Sequence, residues 1–289
     1  MLSELQGTIE KLSDATGGSV VGVGQKSGIG SGVVIAKDRV LTNAHNLRGD
    51  GISVTFQDGR VEQANILGAD VDSDLAVLEV STGGSQPMDW SGTEPAIGGS
   101  VFAISNPGGR GLRVTWGTIS STERAFRGPR GRRIAGSVEH TAPLLPGSSG
   151  GPIVDGDGKV LGLNTHRLGE GFYLAIPASD ELREKIESLS KGEIPSRPQL
   201  GIGIAPAEVA KGLRRAVGLP DAEGLLVRFV KEGGAADRAG IKEGDLLVSA
   251  AGTILKSVDD LHEALAKGGS LAVKILRGAE ERTVDVIPD

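Results

Sequence analysis

The chain has no cysteine in its 289 residues. Disulfides and thiolate zinc sites are excluded, and cysteine usage leaves the redox compartment open. Histidine is scarce as well. His45, His140, His166 and His262 are the only four, so any imidazole chemistry must use one of them. No apolar run approaches the length of a membrane span. Residues 1–12, MLSELQGTIEKL, have neither a basic start nor an apolar h-region and do not read as a signal peptide. As the chain stands, this predicts a cytoplasmic protein, or an extracytoplasmic one from which a leader was removed. Positive charge is not in excess: the formal net charge is −6, which argues against nucleic acid as the main partner. Asp70, Asp72 and Asp74 alternate as calcium ligands can, but no Gly-turn-plus-Glu pattern of an EF-hand follows. No metal or other cofactor is expected.

What the chain has in abundance is glycine, 46 residues, about twice the usual share. Many glycines imply many turns and hence many short strands. The length suggests two domains or three small units. The first 12 residues read as an amphipathic helix with Leu2, Leu5, Ile9 and Leu12 on one side. Strand patterns follow at 19–24, 32–36, 40–42, 52–56, 60–68 and 75–80, then at 100–105, 112–121, 136–141, 151–154, 160–164 and 172–175. Asp58-Gly59 and Asp155-Gly156-Asp157-Gly158 are hairpin turns. Two sets of six strands predict two antiparallel barrels. Residues 124–133 hold five arginines and read as a basic, mobile loop.

The densest turn is Pro146-Gly147-Ser148-Ser149-Gly150-Gly151-Pro152, flanked by the apolar runs Ala142-Pro143-Leu144-Leu145 and Ile153-Val154. Glycine lets backbone approach a ligand closely and adopt φ values that other residues avoid. A serine on such a turn can present its hydroxyl while neighbouring N–H groups converge, as a nucleophile with an oxyanion hole requires. His45 closes an apolar strand in front of a polar loop. Asp74 touches the apolar run 75–78, and a buried carboxylate there needs partners. His45 and Asp74 lie in the first half and Ser149 in the second, which predicts a site in the cleft between halves. Taken singly, each motif also fits a Gly/Ser loop, a structural histidine or a turn aspartate.

Together the motifs carry a resemblance. Thr42-Asn43-Ala44-His45, Ser73-Asp74-Leu75-Ala76-Val77-Leu78 and Gly147-Ser148-Ser149-Gly150-Gly151-Pro152 resemble the three signatures of trypsin-like serine proteases. Gly30-Ser31-Gly32-Val33-Val34-Ile35, Asn106-Pro107-Gly108, Gly162-Leu163-Asn164-Thr165 and Ala175-Ile176-Pro177 are similar to the HtrA branch. The resemblance implies a mainly β fold of two six-stranded, chymotrypsin-like barrels followed by an α+β PDZ domain. It implies a protease domain over 1–190, a linker over 191–198 and a PDZ domain over 199–289.

The implied roles are Ser149 as nucleophile, His45 as general base and then acid, and Asp74 as the group that fixes the imidazole tautomer. Gly147, Ser148 and Ser149 form the oxyanion-hole segment, and the Thr165 hydroxyl supports Asp74. Ser148 stands where trypsin has Asp and HtrA proteins usually have Asn, so no zymogen-type ion pair can form. Leu144, His166 and Leu174 line the primary pocket. Pro143 falls where trypsin carries an acid, so cleavage after small or medium apolar residues is expected. Arg124 resembles a loop arginine that senses the adjoining domain.

Residues 179–190 predict a helix capped by Ser179. Beyond the linker, Leu200, Gly201 and Ile202 resemble the carboxylate-binding loop of PDZ domains, where an apolar peptide C-terminus is held and a strand is added to a sheet edge. Ser257 and Asp260 frame the helix over 258–267, and His262 reads as a surface residue of it. The expected function is a serine endopeptidase acting on unfolded or misfolded polypeptides, without membrane or nucleic-acid partners. The competing classes are a non-catalytic peptide-binding chaperone and a PDZ scaffold on an inactive protease fold. Family trimers rest on aromatic residues near the N-terminus. Residues 1–20 contain none, so an oligomer stays open but that trimer is not supported.

Overall fold

A computed structural model describes residues 2–25, 28–47, 51–128, 133–169, 171–193, 198–205, 207–220 and 222–289. The chain divides into two compact units, Met1–Pro195 and Ser196–Asp289. Part of the expected linker, 194–197, lies outside the described residues.

The first unit opens with helix α1 (Leu2–Thr16), longer than its apolar pattern predicts. Strands β1 (Val20–Gln25), β2 (Gly28–Ala36), β3 (Arg39–Thr42), β4 (Ile52–Thr55), β5 (Val61–Asp70) and β6 (Leu75–Glu79) follow. They close a barrel in the order β1-β2-β3-β6-β5-β4. Strands β7 (Ser100–Ser105), β8 (Arg113–Arg127), β9 (Arg133–His140), β10 (Pro152–Val154), β11 (Val160–Gly169) and β12 (Phe172–Pro177) close the second, in the order β10-β11-β12-β9-β8-β7. Every pairing within the two barrels is antiparallel. The unit ends in helix α2 (Asp180–Ser190), where the Ser179 hydroxyl accepts from the Leu182 N–H.

Side chains alternate across a strand, and here both faces are buried, which explains unbroken runs such as Val33-Val34-Ile35 and Leu75–Leu78. Val34, Val40 and Leu78 fill the first barrel. Their neighbours Val33, Leu41 and Val77 turn the other way, into a cluster shared by both barrels and both helices through Leu12, Ile104, Leu163 and Leu189. Val101, Ala103, Val138, Ile153 and Ala175 fill the second barrel. The shared cluster joins the barrels, so loops at its rim hold fixed positions relative to one another.

The basic segment departs from expectation. Strand β8 continues through Arg127 and pairs with β9, so Arg124 lies on a strand opposite Ser137 and not in a loop. Cross-strand pairing satisfies the backbone there despite the arginines. The tip, 129–132, lies outside the described residues.

In the second unit β13 (Ile202–Ile204), helix α3 (Ala207–Ala216), β14 (Leu225–Val230), helix α4 (Ala235–Arg238), β15 (Leu246–Ala250), β16 (Thr253–Ile254), helix α5 (Val258–Ala266), β17 (Leu271–Arg277) and β18 (Glu280–Val286) follow. The sheet runs β13-β14-β15-β17-β18, with β16 beside β15. Leu225, Val227, Ile241, Leu247, Leu261, Val273 and Ile275 form its own core. Ser257 and Asp260 make the capping box that starts α5. No described helix is long and apolar enough to cross a membrane.

Candidate active site

His45, Asp74 and Thr165 come together although 91 residues separate the last two. His45 sits in a single 3-10 turn, Ala44–Asn46, directly after β3. Asp74 occupies the turn between β5 and β6 at φ 58°, a left-handed conformation that non-glycine residues seldom adopt. That turn is held from outside. The buried Asn43 amide donates to the Asp74 carbonyl at 2.9 Å, and the His45 N–H donates to Asp74 Oδ1 at 3.0 Å.

The carboxylate, 1% exposed, is surrounded by donors. His45 Nδ1 lies 2.7 Å from Asp74 Oδ2, and the Thr165 hydroxyl donates to the same oxygen at 2.7 Å. An ionised Asp74 accepts from Nδ1–H and thereby leaves the lone pair on Nε2, the tautomer a general base needs.

Ser149 follows a turn closed by Ser148 N–H donating to Leu145 O at 3.1 Å. Pro146 at the second turn position and Gly147 at φ 88° in the third are the requirements of a type II turn. A type I turn would rotate the Pro146–Gly147 peptide by about half a revolution. The sign of the Gly147 φ thus selects which way that N–H points. No hydrogen bond among the described residues takes the N–H of Gly147 or of Ser149.

The N–H of Ser148, by contrast, is taken by Leu145 O, so Ser148 supplies no donor to an oxyanion hole. Its side chain is buried and its Oγ lies 3.1 Å from Ser105 Oγ, a neutral contact where an ion pair is impossible. The Ser149 hydroxyl donates to the Thr165 carbonyl at 3.0 Å.

Beside Ser149 opens a cleft of about 120 Å³ lined by Leu144, Thr165, His166, Arg167 and Tyr173, among others. Leu144 and His166 lie where the sequence places them. Leu174 does not: it is fully buried in the shared cluster, and Tyr173 lines the cleft instead. The expectation has the wrong parity on β12. Residues 174 and 176 face the shared cluster, while Ala175 faces the second barrel. Arg167 sits over the Tyr173 ring, its guanidinium carbon 6.0 Å from the ring centre. Residues 172–175, Phe-Tyr-Leu-Ala, show no alternation, so the sequence carried no signal for Tyr173.

Behind the cleft, His140 is fully buried, with Nε2 2.9 Å from the Asn164 Oδ1. Burial, partly offset by that bond, lowers its pKa to about 4 and keeps it neutral. Arg124 reaches Glu139 at 2.8 Å, and Ser120 donates to the same carboxylate at 2.9 Å.

In the second unit Leu200 is buried in the core and its carbonyl accepts from the Ala236 N–H at 2.9 Å. Gly201 has φ 72°, and its carbonyl accepts from the Lys231 N–H at 2.8 Å. Ile202 begins β13, the last strand on its side of the sheet, whose outer edge no described strand covers.

The arrangement has known relatives. The family model described as a trypsin-like peptidase domain matches residues 30–163, and that of a PDZ domain matches 226–277. "Serine endoprotease DegS" of Salmonella typhimurium is 33% identical over 279 residues, covering 89% of this chain and 76% of the relative. The chain belongs to the HtrA family of trypsin-like serine proteases with a PDZ domain. "Serine protease Do-like HtrA" of Bacillus subtilis is 31% identical over 282 residues, 89% of this chain. The chain spans 63% of the length of that relative. Among solved structures, the serine endoprotease from Yersinia pestis aligns with a TM-score of 0.71 at 28% identity, covering 97% of each chain.

Proposed function

We propose that the chain is a serine endopeptidase acting on unfolded or misfolded polypeptides, with Ser149 as nucleophile, His45 as base and acid, and Asp74 as the group that orients His45. The observation that carries this reading is the run of short hydrogen bonds from Thr165 through Asp74 to His45 Nδ1, beside a serine on a type II glycine turn. As Ser149 Oγ attacks the scissile carbonyl carbon, its proton passes to His45 Nε2. The carbonyl oxygen takes the negative charge and accepts from the N–H groups of Gly147 and Ser149. His45 then returns the proton to the departing amine, leaving an acyl group on Ser149 that water removes by the same route.

Each donor to the oxyanion is worth about 10²–10³ in kcat. The resting bond from Ser149 to the Thr165 carbonyl must be given up on attack, at a net cost of about 1 kcal/mol, less than a factor of ten. In the primary pocket, the volume of only about 120 Å³ and the Arg167 charge, which disfavours basic side chains, support cleavage after small uncharged residues. The second unit would hold apolar peptide C-termini at the N–H groups of Leu200, Gly201 and Ile202, with the peptide added along the open edge of β13.

Casein hydrolysis that disappears with a serine-directed phosphonate tests the activity. In Ser149→Ala turnover should fall by about 10⁴–10⁶ with little loss of stability. A variant keeping more than about a tenth of the wild-type rate would overturn the assignment.

A further inference from the structure

Ser31, on β2 of the first barrel, has no solvent exposure, and each of its polar groups is bonded across to another segment. Its hydroxyl donates to the Gly147 carbonyl at 2.9 Å and accepts from the Asn106 N–H at 3.0 Å. Its own N–H donates to the Ser149 carbonyl at 2.8 Å. Its carbonyl accepts from the Thr42 hydroxyl at 2.7 Å. The Asn46 amide closes a ring by donating to Thr42 Oγ1 and to the Ser149 carbonyl, both at 3.0 Å.

Thr42 and Asn46 flank His45, so the ring joins the histidine segment to the serine turn across the two barrels. Room is made for it at two glycines. A Cβ on Gly150 would stand 2.1 Å from the Ser31 carbonyl oxygen, and one on Gly30 would stand 2.4 Å from Asn46 Cγ.

Gly147 and Ser149 are the two residues whose N–H groups would hold the oxyanion, and Ser31 grips the carbonyl of each. Each gripped carbonyl fixes the peptide plane that follows its residue, Gly147–Ser148 and Ser149–Gly150, and with it the Cα position from which the N–H of that residue projects.

We infer that Ser31 is a positioning residue for the oxyanion hole, holding Gly147 and Ser149 at the spacing from which their N–H groups converge. This rests on the reading of Ser149 as nucleophile. The Ser31→Ala variant removes the grip on Gly147 and keeps the main-chain bond to Ser149. Three quantities are measured with wild type alongside: kcat and KM on a short chromogenic peptide, affinity for a peptide boronic acid whose tetrahedral adduct occupies the hole, and affinity for a cleaved product peptide.

The expected result is a fall in kcat of about 10–100-fold, with KM within about threefold and boronate affinity falling in step while product affinity holds. A folded variant with kcat within about threefold of wild type overturns the inference, as does a parallel loss of product affinity, which would mark general disorder. If Ser31→Ala does not fold, Thr42→Val carries the test. It breaks the ring at the next link, and a fall in kcat of about fivefold at unchanged KM is expected, an unchanged kcat being the overturning result. Wild-type activity in Ser149→Ala would instead remove the reading on which the inference rests, so the two failures are distinguishable.

Discussion

Asp74 joins three requirements at one position: a left-handed backbone, a buried charge and a donor on every side that matters. The left-handed turn is uncommon for aspartate but within its tolerance, since short polar side chains bond locally. The Thr165 hydroxyl and the His45 N–H and Nδ1 repay the burial that an unpaired carboxylate would not survive. His140 is the contrasting case, a titratable group kept neutral. Its pKa of about 4 lies below the ordinary 6.5, so between those values the unfolded chain binds a proton that the folded chain refuses. Stability from this group is therefore complete above pH 6.5 and lost as pH falls through 4. Urea unfolding of wild type at pH 7 and pH 4.5 should show a loss of up to about 3 kcal/mol from this source. In His140→Gln that increment should vanish, and an identical pH dependence in the two proteins would refute it.

At the scale of elements, the β11–β12 hairpin supplies much of the lining of the cleft beside Ser149. With Tyr173 in the lining and Arg167 over its ring, the cleft should take Val, Ala, Leu or Thr before the scissile bond. Discrimination among them should be broad, because one methylene is worth only about 1–3 kcal/mol. A peptide-library digest reads this directly, and dominant cleavage after Arg or Lys would contradict it. Tyr173→Ala should extend the profile to larger apolar residues. The β8–β9 ribbon carries a second expectation. Arg124 holds Glu139, which lies opposite Leu174 on β12 and next to His140, opposite Tyr173. A change at Arg124 is thus one strand away from the cleft. If the ribbon relays a signal, a separate peptide with an apolar free C-terminus should change hydrolysis of a short substrate by about 5–150-fold. Arg124→Ala should abolish the change while peptide binding persists. An unaltered rate at saturating peptide would leave the PDZ domain as a tether that only raises local substrate concentration.

For the whole molecule, two separate cores predict two separable stabilities. The second unit ties its own ends together: Gln199 and Asp289 exchange backbone hydrogen bonds at 3.2 and 3.0 Å. Its buried Asp245 is gripped by Arg277 through Nε and a terminal nitrogen, both at 2.8 Å. Residues 199–289 alone should therefore fold cooperatively and unfold in urea at the midpoint of the corresponding transition in the full chain. A fragment lacking native near-ultraviolet dichroism would show that this unit depends on the first. The half-exposed Arg277 supplies the control, since Arg277→Leu leaves the buried Asp245 with the Lys242 N–H as its remaining donor and should lower the stability of this unit alone by about 1–3 kcal/mol.

The sequence by itself determined the strand count, the barrel pair, the helix caps and the segments that carry the chemistry. These depend on local pattern: alternating or unbroken apolar runs, Asp-Gly turns, and a serine between glycines. It also pointed to His45, Asp74 and Ser149 through three signatures in order, and to Thr165 through Gly162-Leu163-Asn164-Thr165. What only the tertiary structure decided is where period-two strands face and which loops meet. Tyr173 rather than Leu174 lines the cleft because a strand buried on both faces hides its parity. Ser148 is lost as a donor because its N–H closes a turn. Arg124 extends a strand because pairing with β9 across the hairpin outweighs local charge. Ser31 carried no signal beyond two flanking glycines, since its partners Gly147, Ser149, Asn106 and Thr42 come from three segments that only the closing of the barrels brings to one point.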